Sequence, residues 1–164
     1  QIKSDNSKCL APINDHHFAR EIVYDFAMQV STNPAEETVV LVAHGPIEPA
    51  DNSKQLRLMT NILEHVQLKG HFYDAIPLSL QDDDSPEVRA DNVKRLRETI
   101  EVNTSNNRRV LIVTNLMSSD VIQAKVERDL KGLTYTLNTS GLVEHPYFVD
   151  WISETINDQK ARDD

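Results

Sequence analysis

Hydrophobic positions along the chain follow two alternating patterns. Phe18, Ile22 and Phe26 recur every four residues, which predicts an amphipathic helix over 15–30. Asn14 is placed to cap it, with Ile13 and Phe18 as a hydrophobic staple. Ser31, Thr32, Asn33 and Pro34 end it. Residues 38–43 (TVVLVA) form instead an unbroken aliphatic run, the pattern of a strand buried on both faces. His44, Gly45 and Pro46 stop that run abruptly. Leu56, Met59, Leu63 and Val66 mark a helix over about 51–68. Residues 71–80 (HFYDAIPLSL) alternate, and Pro77, which has no N–H to donate, pushes this strand to a sheet edge. Ser85 before Pro86 predicts a capped helix with Val93, Leu96 and Ile100 on its buried face. Residues 109–116 (RVLIVTNL) read as a second buried strand, and Ile122, Val126 and Leu130 as the helix after it. Residues 133–139 alternate like an edge strand. Pro146 opens a last helix carrying Phe148, Ile152 and Ile156, with Trp151 as a packing residue.

One helix followed by four strand–helix units implies an α/β fold, a three-layer αβα sandwich around a parallel sheet. Two strands look central and two look like edges. Right-handed crossovers then give a four-stranded parallel sheet of order 2-1-3-4, a flavodoxin-like arrangement. In such a sheet the ligand crevice opens outside the carboxyl ends of the central strands, where strand order reverses. Here those ends are 43–46 and 115–120. Residues 1–13 read as a linker or arm, 14–156 as the domain, and 157–164 as a charged, frayed tail.

Bulk composition narrows the function classes. The 164 residues carry a formal net charge of -9, so no nucleic-acid partner is expected, because a phosphate backbone requires excess Lys and Arg. An anionic membrane is disfavoured for the same reason. Mean hydropathy is -0.46, and no apolar run approaches the roughly 18 residues of a membrane span. A soluble protein is expected. The single cysteine, Cys9, cannot form an internal disulfide and reads as a bystander. The compartment stays open. The chain starts at Gln1, which suggests a processed product or a piece of something longer, and a removed export signal fits as well as none.

His44 is the first candidate for chemistry. A histidine just after a buried strand, with Gly45 allowing close backbone approach and Pro46 following, sits at the crevice mouth. Neutral imidazole suits Co, Ni, Fe or Zn and accepts protons near neutral pH. The plainer reading is a histidine that ties down its own loop. Ser118, Ser119 and Asp120 follow the other central strand and should face His44. Asp120 could ligate a hard cation, although Ser118 or Ser119 capping a helix, with Asp120 in its first turn, is the simpler account. Asp82, Asp83 and Asp84 could collect a cation but read more simply as a solvated loop leading to a cap. His16, His17, His65, His71 and His145 have no partner at metal-ligand spacing and read as structural or exposed, His145 as a cap for the last helix. No Gly-rich phosphate loop, CxxC, HExxH or GxSxG occurs, which sets aside ATP hydrolysis, hydride transfer and triad hydrolysis.

Residues 39–46 (VVLVAHGP) resemble the first-strand signature of the class II tetrapyrrole chelatases, specifically the CbiX-like sirohydrochlorin cobalto/ferrochelatase group. The segments NPAEETVVLVAHGP, DDDSPEVRA, RRVLIVTNLMSS and LKGLTYTLNTSGLVEHP follow in the order expected of the second lobe of a two-lobe member. The resemblance implies a chelatase-like lobe that inserts a divalent metal into a tetrapyrrole without ATP, a lyase on the way to siroheme or cobalamin. It implies His44 as the catalytic, metal-binding residue that assists loss of pyrrole protons. Gly45, Pro46, Ser118 and Ser119 would border the substrate. No permanently bound cofactor is implied; the metal, Co2+ or alternatively Fe2+ or Ni2+, is a substrate. The partners implied are the tetrapyrrole and a second lobe or second copy, and the family's default compartment is the cytoplasm. One departure stands out: small family members carry a second histidine after the third strand, where this chain has Asp120. Two expectations follow, an active chelatase using His44 and Asp120, or a degenerate lobe that binds metal or tetrapyrrole, or braces a partner, without turnover.

Overall fold

A computed structural model describes residues 12–118 and 121–163. Helix α1 (His17–Val30) buries Ala19, Ile22, Val23, Phe26 and Ala27, a stripe at helical spacing. Its cap differs from expectation. His16, not Asn14, precedes the helix, and its Nδ1 accepts from the Phe18 amide at 3.4 Å. Asn14 turns the chain with φ 39° and makes no cap.

After a 3-10 turn at Pro34–Glu36 comes β1 (Glu37–Ala43), buried at every position. It begins one residue earlier than the apolar run, on a buried glutamate. The Glu37 carboxylate accepts from the Thr32 amide (3.0 Å), the Asn33 amide (3.2 Å) and the Thr32 and Ser31 hydroxyls, and pairs with Arg109. Burial alone would raise this carboxyl, but those donors together hold it below the ordinary glutamate value.

Helix α2 (Pro49–Gly70) ends where His71 adopts a left-handed conformation, φ 56°. His71 therefore closes a helix and does not open a strand. The strand β2 (Asp74–Ser79) starts three residues later. Helix α3 (Pro86–Ser105) has the expected cap, Ser85 Oγ accepting from the Val88 amide at 3.3 Å. Then follow β3 (Arg109–Thr114), α4 (Val121–Asp129), the short β4 (Thr136–Asn138) and α5 (Pro146–Asp163). His145 Nδ1 accepts from the Tyr147 amide at 3.2 Å, the predicted cap of α5. Helical structure in α5 runs past Ile156, where the apolar periodicity ends, to Asp163.

All pairings are parallel and the sheet order is β2-β1-β3-β4, as predicted. Pro77 lies on the edge strand β2, opposite Leu41. Period two sorts β1 between two cores. Val39, Leu41 and Ala43 pack with α1, α2 and α5, and Val40 and Val42 with α3 and α4. Each fully buried Leu or Ile contributes about 1.5–3 kcal/mol, so the central strands are fixed in register by both faces. No helix among the described residues is long and apolar enough to cross a membrane.

Candidate functional site

The ladder between the first two strands runs past their ends. The Leu80 amide donates to Ala43 O at 3.0 Å and the Gln81 amide to His44 O at 2.5 Å. His44 is thereby held at the carboxyl edge of the sheet, where the topology predicts a crevice. Gly45 follows with φ 84°, and a Cβ there would lie 1.7 Å from Ser79 Oγ. Only glycine meets both demands, so the Gly after the histidine is needed by the backbone itself.

Behind the loop lies a polar frame. Gln81, with φ 48°, donates from Nε2 to Pro46 O at 2.9 Å and to Asp84 Oδ2 at 3.3 Å. Its Oε1 accepts from Asn52 Nδ2 and Asn92 Nδ2 at 3.1 and 3.2 Å. One side chain thus joins the His-Gly-Pro loop, α2, α3 and the acidic loop. The sequence pattern did not single it out. Aligning the two strand ends would have, because extending the register sets Gln81 beside Gly45, next to His44.

The acidic run separates by residue. Asp82 is not solvated: its side chain is 1% exposed and pairs with Arg89 (2.7 Å) and Lys125 (3.2 Å). Arg89 also pairs with Asp129, which clasps α3 to α4. Burial alone would lower the Arg89 guanidinium and raise the Asp129 carboxyl. The hydrogen bonds and charges of their partners, Asp129 and Asp82 for Arg89 and Arg128 and Arg89 for Asp129, outweigh it and shift each the other way. Asp84 accepts from the Ser85 amide. Asp83 points elsewhere. Its side chain is 71% exposed, and Oδ2 lies 3.4 Å from His44 Nε2.

His44 has two neutral tautomers. With the hydrogen on Nε2 the ring donates to Asp83; with it on Nδ1 the ring donates to Gly45 O at 3.3 Å. In the second form Nε2 presents a lone pair to the Asp83 carboxylate. Two acceptors at that distance need a cation between them, a proton or a metal ion. Two ligands at about 2.1 Å on a tetrahedral ion lie roughly 3.4 Å apart, the spacing seen here.

His44, Gly45, Pro46, Ile47, Gln55 and Asp83 line an open cavity of about 360 Å³. A second cavity of about 200 Å³ shares Gln55 and reaches Asn115 and Met117 beyond β3. Gln55 Oε1 is buried with no partner among the described residues. The structure thus brings together His44, Gly45, Pro46 and Asp83. Ser118 is exposed and lines neither cavity. Its loop is pinned by the Val143 amide to Met117 O at 3.1 Å, with Gly141 packed against the backbone of 117–118. Ser119 and Asp120 lie outside the described residues.

No protein-family model matches the chain, and no curated protein matches it. Solved structures do. SirB from Bacillus subtilis, determined with Fe3+, superposes with a TM-score of 0.69 at 20% identity, over 90% of this chain and 56% of that one. The fold is chelatase-like. A multi-domain protein of Deinococcus radiodurans, DR2241, described as structurally similar to chelatases with two additional novel domains, matches with a TM-score of 0.55. Its identity is 13%, over 88% of this chain and 30% of that one. The chelatase-like lobe therefore spans little more than half the length of SirB and less than a third of DR2241.

Proposed function

We propose that this lobe binds a divalent metal ion between His44 and Asp83 and passes it to a tetrapyrrole such as sirohydrochlorin. The observation that carries the reading is the pair of potential ligand atoms, His44 Nε2 and Asp83 Oδ2, 3.4 Å apart at the mouth of an open cavity. The chelatase-like fold supports it. Co2+, Fe2+ and Ni2+ are the candidate ions, since imidazole with carboxylate suits all three. Insertion replaces two pyrrole N–H protons by the cation. The imidazole released as the ion leaves takes one proton, and the Asp83 carboxylate or water takes the other. Asp120 is the residue proposed to approach from the other central strand.

One observation favours a second reading. Among the described residues lining the two cavities there is no Lys or Arg. A tetrapyrrole rich in carboxylates has no cation to meet there. On this reading the lobe holds metal, and a second lobe or a second copy completes the tetrapyrrole site.

The test is an absorbance titration of sirohydrochlorin with the protein, with and without Co2+ or Fe2+. Metallation faster than the uncatalysed rate, and lost in His44→Ala, supports an active chelatase. Loss of one bound metal equivalent in His44→Ala, without accelerated metallation, supports the second reading. Metal stoichiometry and affinity unchanged in both His44→Ala and Asp83→Ala reject the site.

A further inference from the structure

A second cluster of ligating side chains lies outside this crevice. His16 and His17 are adjacent in sequence, but His16 stands outside the helix as its cap while His17 begins it. The change in backbone direction lets both rings turn the same way, with centroids 4.3 Å apart. Glu154, 137 residues further along on α5, meets both. Its Oε1 lies 3.4 Å from His16 Nε2, and its Oε2 lies 3.7 Å from His17 Nε2. The three ligand atoms all fall within 4.8 Å of one another. We propose that His16, His17 and Glu154 form a surface site for a divalent transition ion of the zinc class.

Three arguments carry it. The nitrogen–oxygen distances approach the roughly 3.4 Å edge of a tetrahedron built on ~2.1 Å bonds, so small side-chain rotations bring the donors onto one ion. Two imidazoles and a carboxylate are a donor set for Zn2+, with water free to complete the coordination. The donors are also braced: His17 packs on Phe18 at 4.1 Å between centroids, and Phe18 on Tyr147 of α5 at 5.6 Å. All three remain partly exposed, which leaves an ion a path in.

Two costs oppose binding. The amino end of α1 carries the positive end of the helix dipole and repels a cation, which the Glu154 carboxylate offsets. The second cost makes the site recognisable. His16 Nδ1 accepts from the Phe18 amide, so the apo ring carries its proton on Nε2. Coordination through Nε2 moves that proton to Nδ1 and gives up the cap. A mere His–Glu hydrogen bond would leave the tautomer alone. The site does not depend on the His44 reading.

The experiment uses the tag-free full chain carrying Cys9→Ser and His44→Ala, which removes the thiol and the crevice histidine as competing ligands. Titration with Zn2+ by calorimetry should show one bound ion. His17→Ala and Glu154→Gln, each checked for folding by circular dichroism, should weaken binding at least tenfold. Nitrogen-15 spectra of the His16 ring should shift from the Nε2–H to the Nδ1–H form as Zn2+ is added. Binding within threefold of the parent in both variants, or a His16 tautomer unmoved at saturation, overturns the site.

Discussion

Gly45→Ala tests how the backbone delivers His44 to the crevice. Two costs add. At φ 84° an L-residue loses roughly 1–2 kcal/mol against glycine. The new methyl would lie 1.7 Å from Ser79 Oγ, and forcing such a group into packed surroundings costs roughly 1–3 kcal/mol. The variant should therefore lose about 2–5 kcal/mol, a large share of the 5–15 kcal/mol typical of a domain. Ser79 makes the reasoning separable. Its hydroxyl is buried with no partner among the described residues, so Ser79→Ala alone should be close to neutral or slightly stabilising. In the double variant the 1.7 Å contact is gone, and contacts of 3.0 Å with Gln81 Cγ and 3.1 Å with the residue-79 Cβ remain, both of which the flexible Gln81 side chain and a small shift can relieve. The packing cost should largely vanish and the dihedral cost persist. Urea unfolding of the four proteins, followed by far-ultraviolet circular dichroism, gives the coupling directly. A coupling of about 1–3 kcal/mol is expected. A Gly45→Ala loss below about 0.5 kcal/mol, or additivity within that margin, would refute the packing argument.

Neighbouring aspartates should behave oppositely. Asp82→Asn leaves Arg89 and Lys125 short of a partner and should cost about 2–4 kcal/mol in urea unfolding, less than a fully buried pair because both cations are partly exposed. Asp83→Asn should change stability by less than about 0.5 kcal/mol while weakening metal binding, read by calorimetry with Co2+. Acid should destabilise through Glu37. Its folded pKa is depressed, so its contribution is complete above the unfolded value of about 4.3 and is lost as pH falls through the lower folded value. Glu37→Gln should flatten the fall in stability between about pH 5 and pH 2, measured by denaturation at each pH.

The parts of this molecule legible in its sequence are those set by period and by proline. Val39 to Val42 must be central because both faces of that run are apolar, and Pro77 must be peripheral because it lacks a donor. Those two facts nearly fix the sheet order, and the sheet order fixes where a crevice opens. His44 follows from that alone. What was not legible depends on where loop side chains turn over distances of a few ångströms. Asp82 and Asp83 are the same residue type in the same run, yet one is clasped beneath the loop by Arg89 and Lys125 and the other stands at the cavity mouth. Local spacing carries no signal that separates them. The same holds for His71, whose left-handed backbone ends a helix where alternation predicted a strand, and for His16, whose partner Glu154 belongs to another helix. Gln81 is the intermediate case. Nothing in its own neighbourhood marks it, but the parallel register that places Ser79 beside Ala43 also places Gln81 beside Gly45, where its amide donates to His44 O. The support for the histidine could thus be deduced from strand pairing, whereas its Asp83 partner required the loop geometry itself.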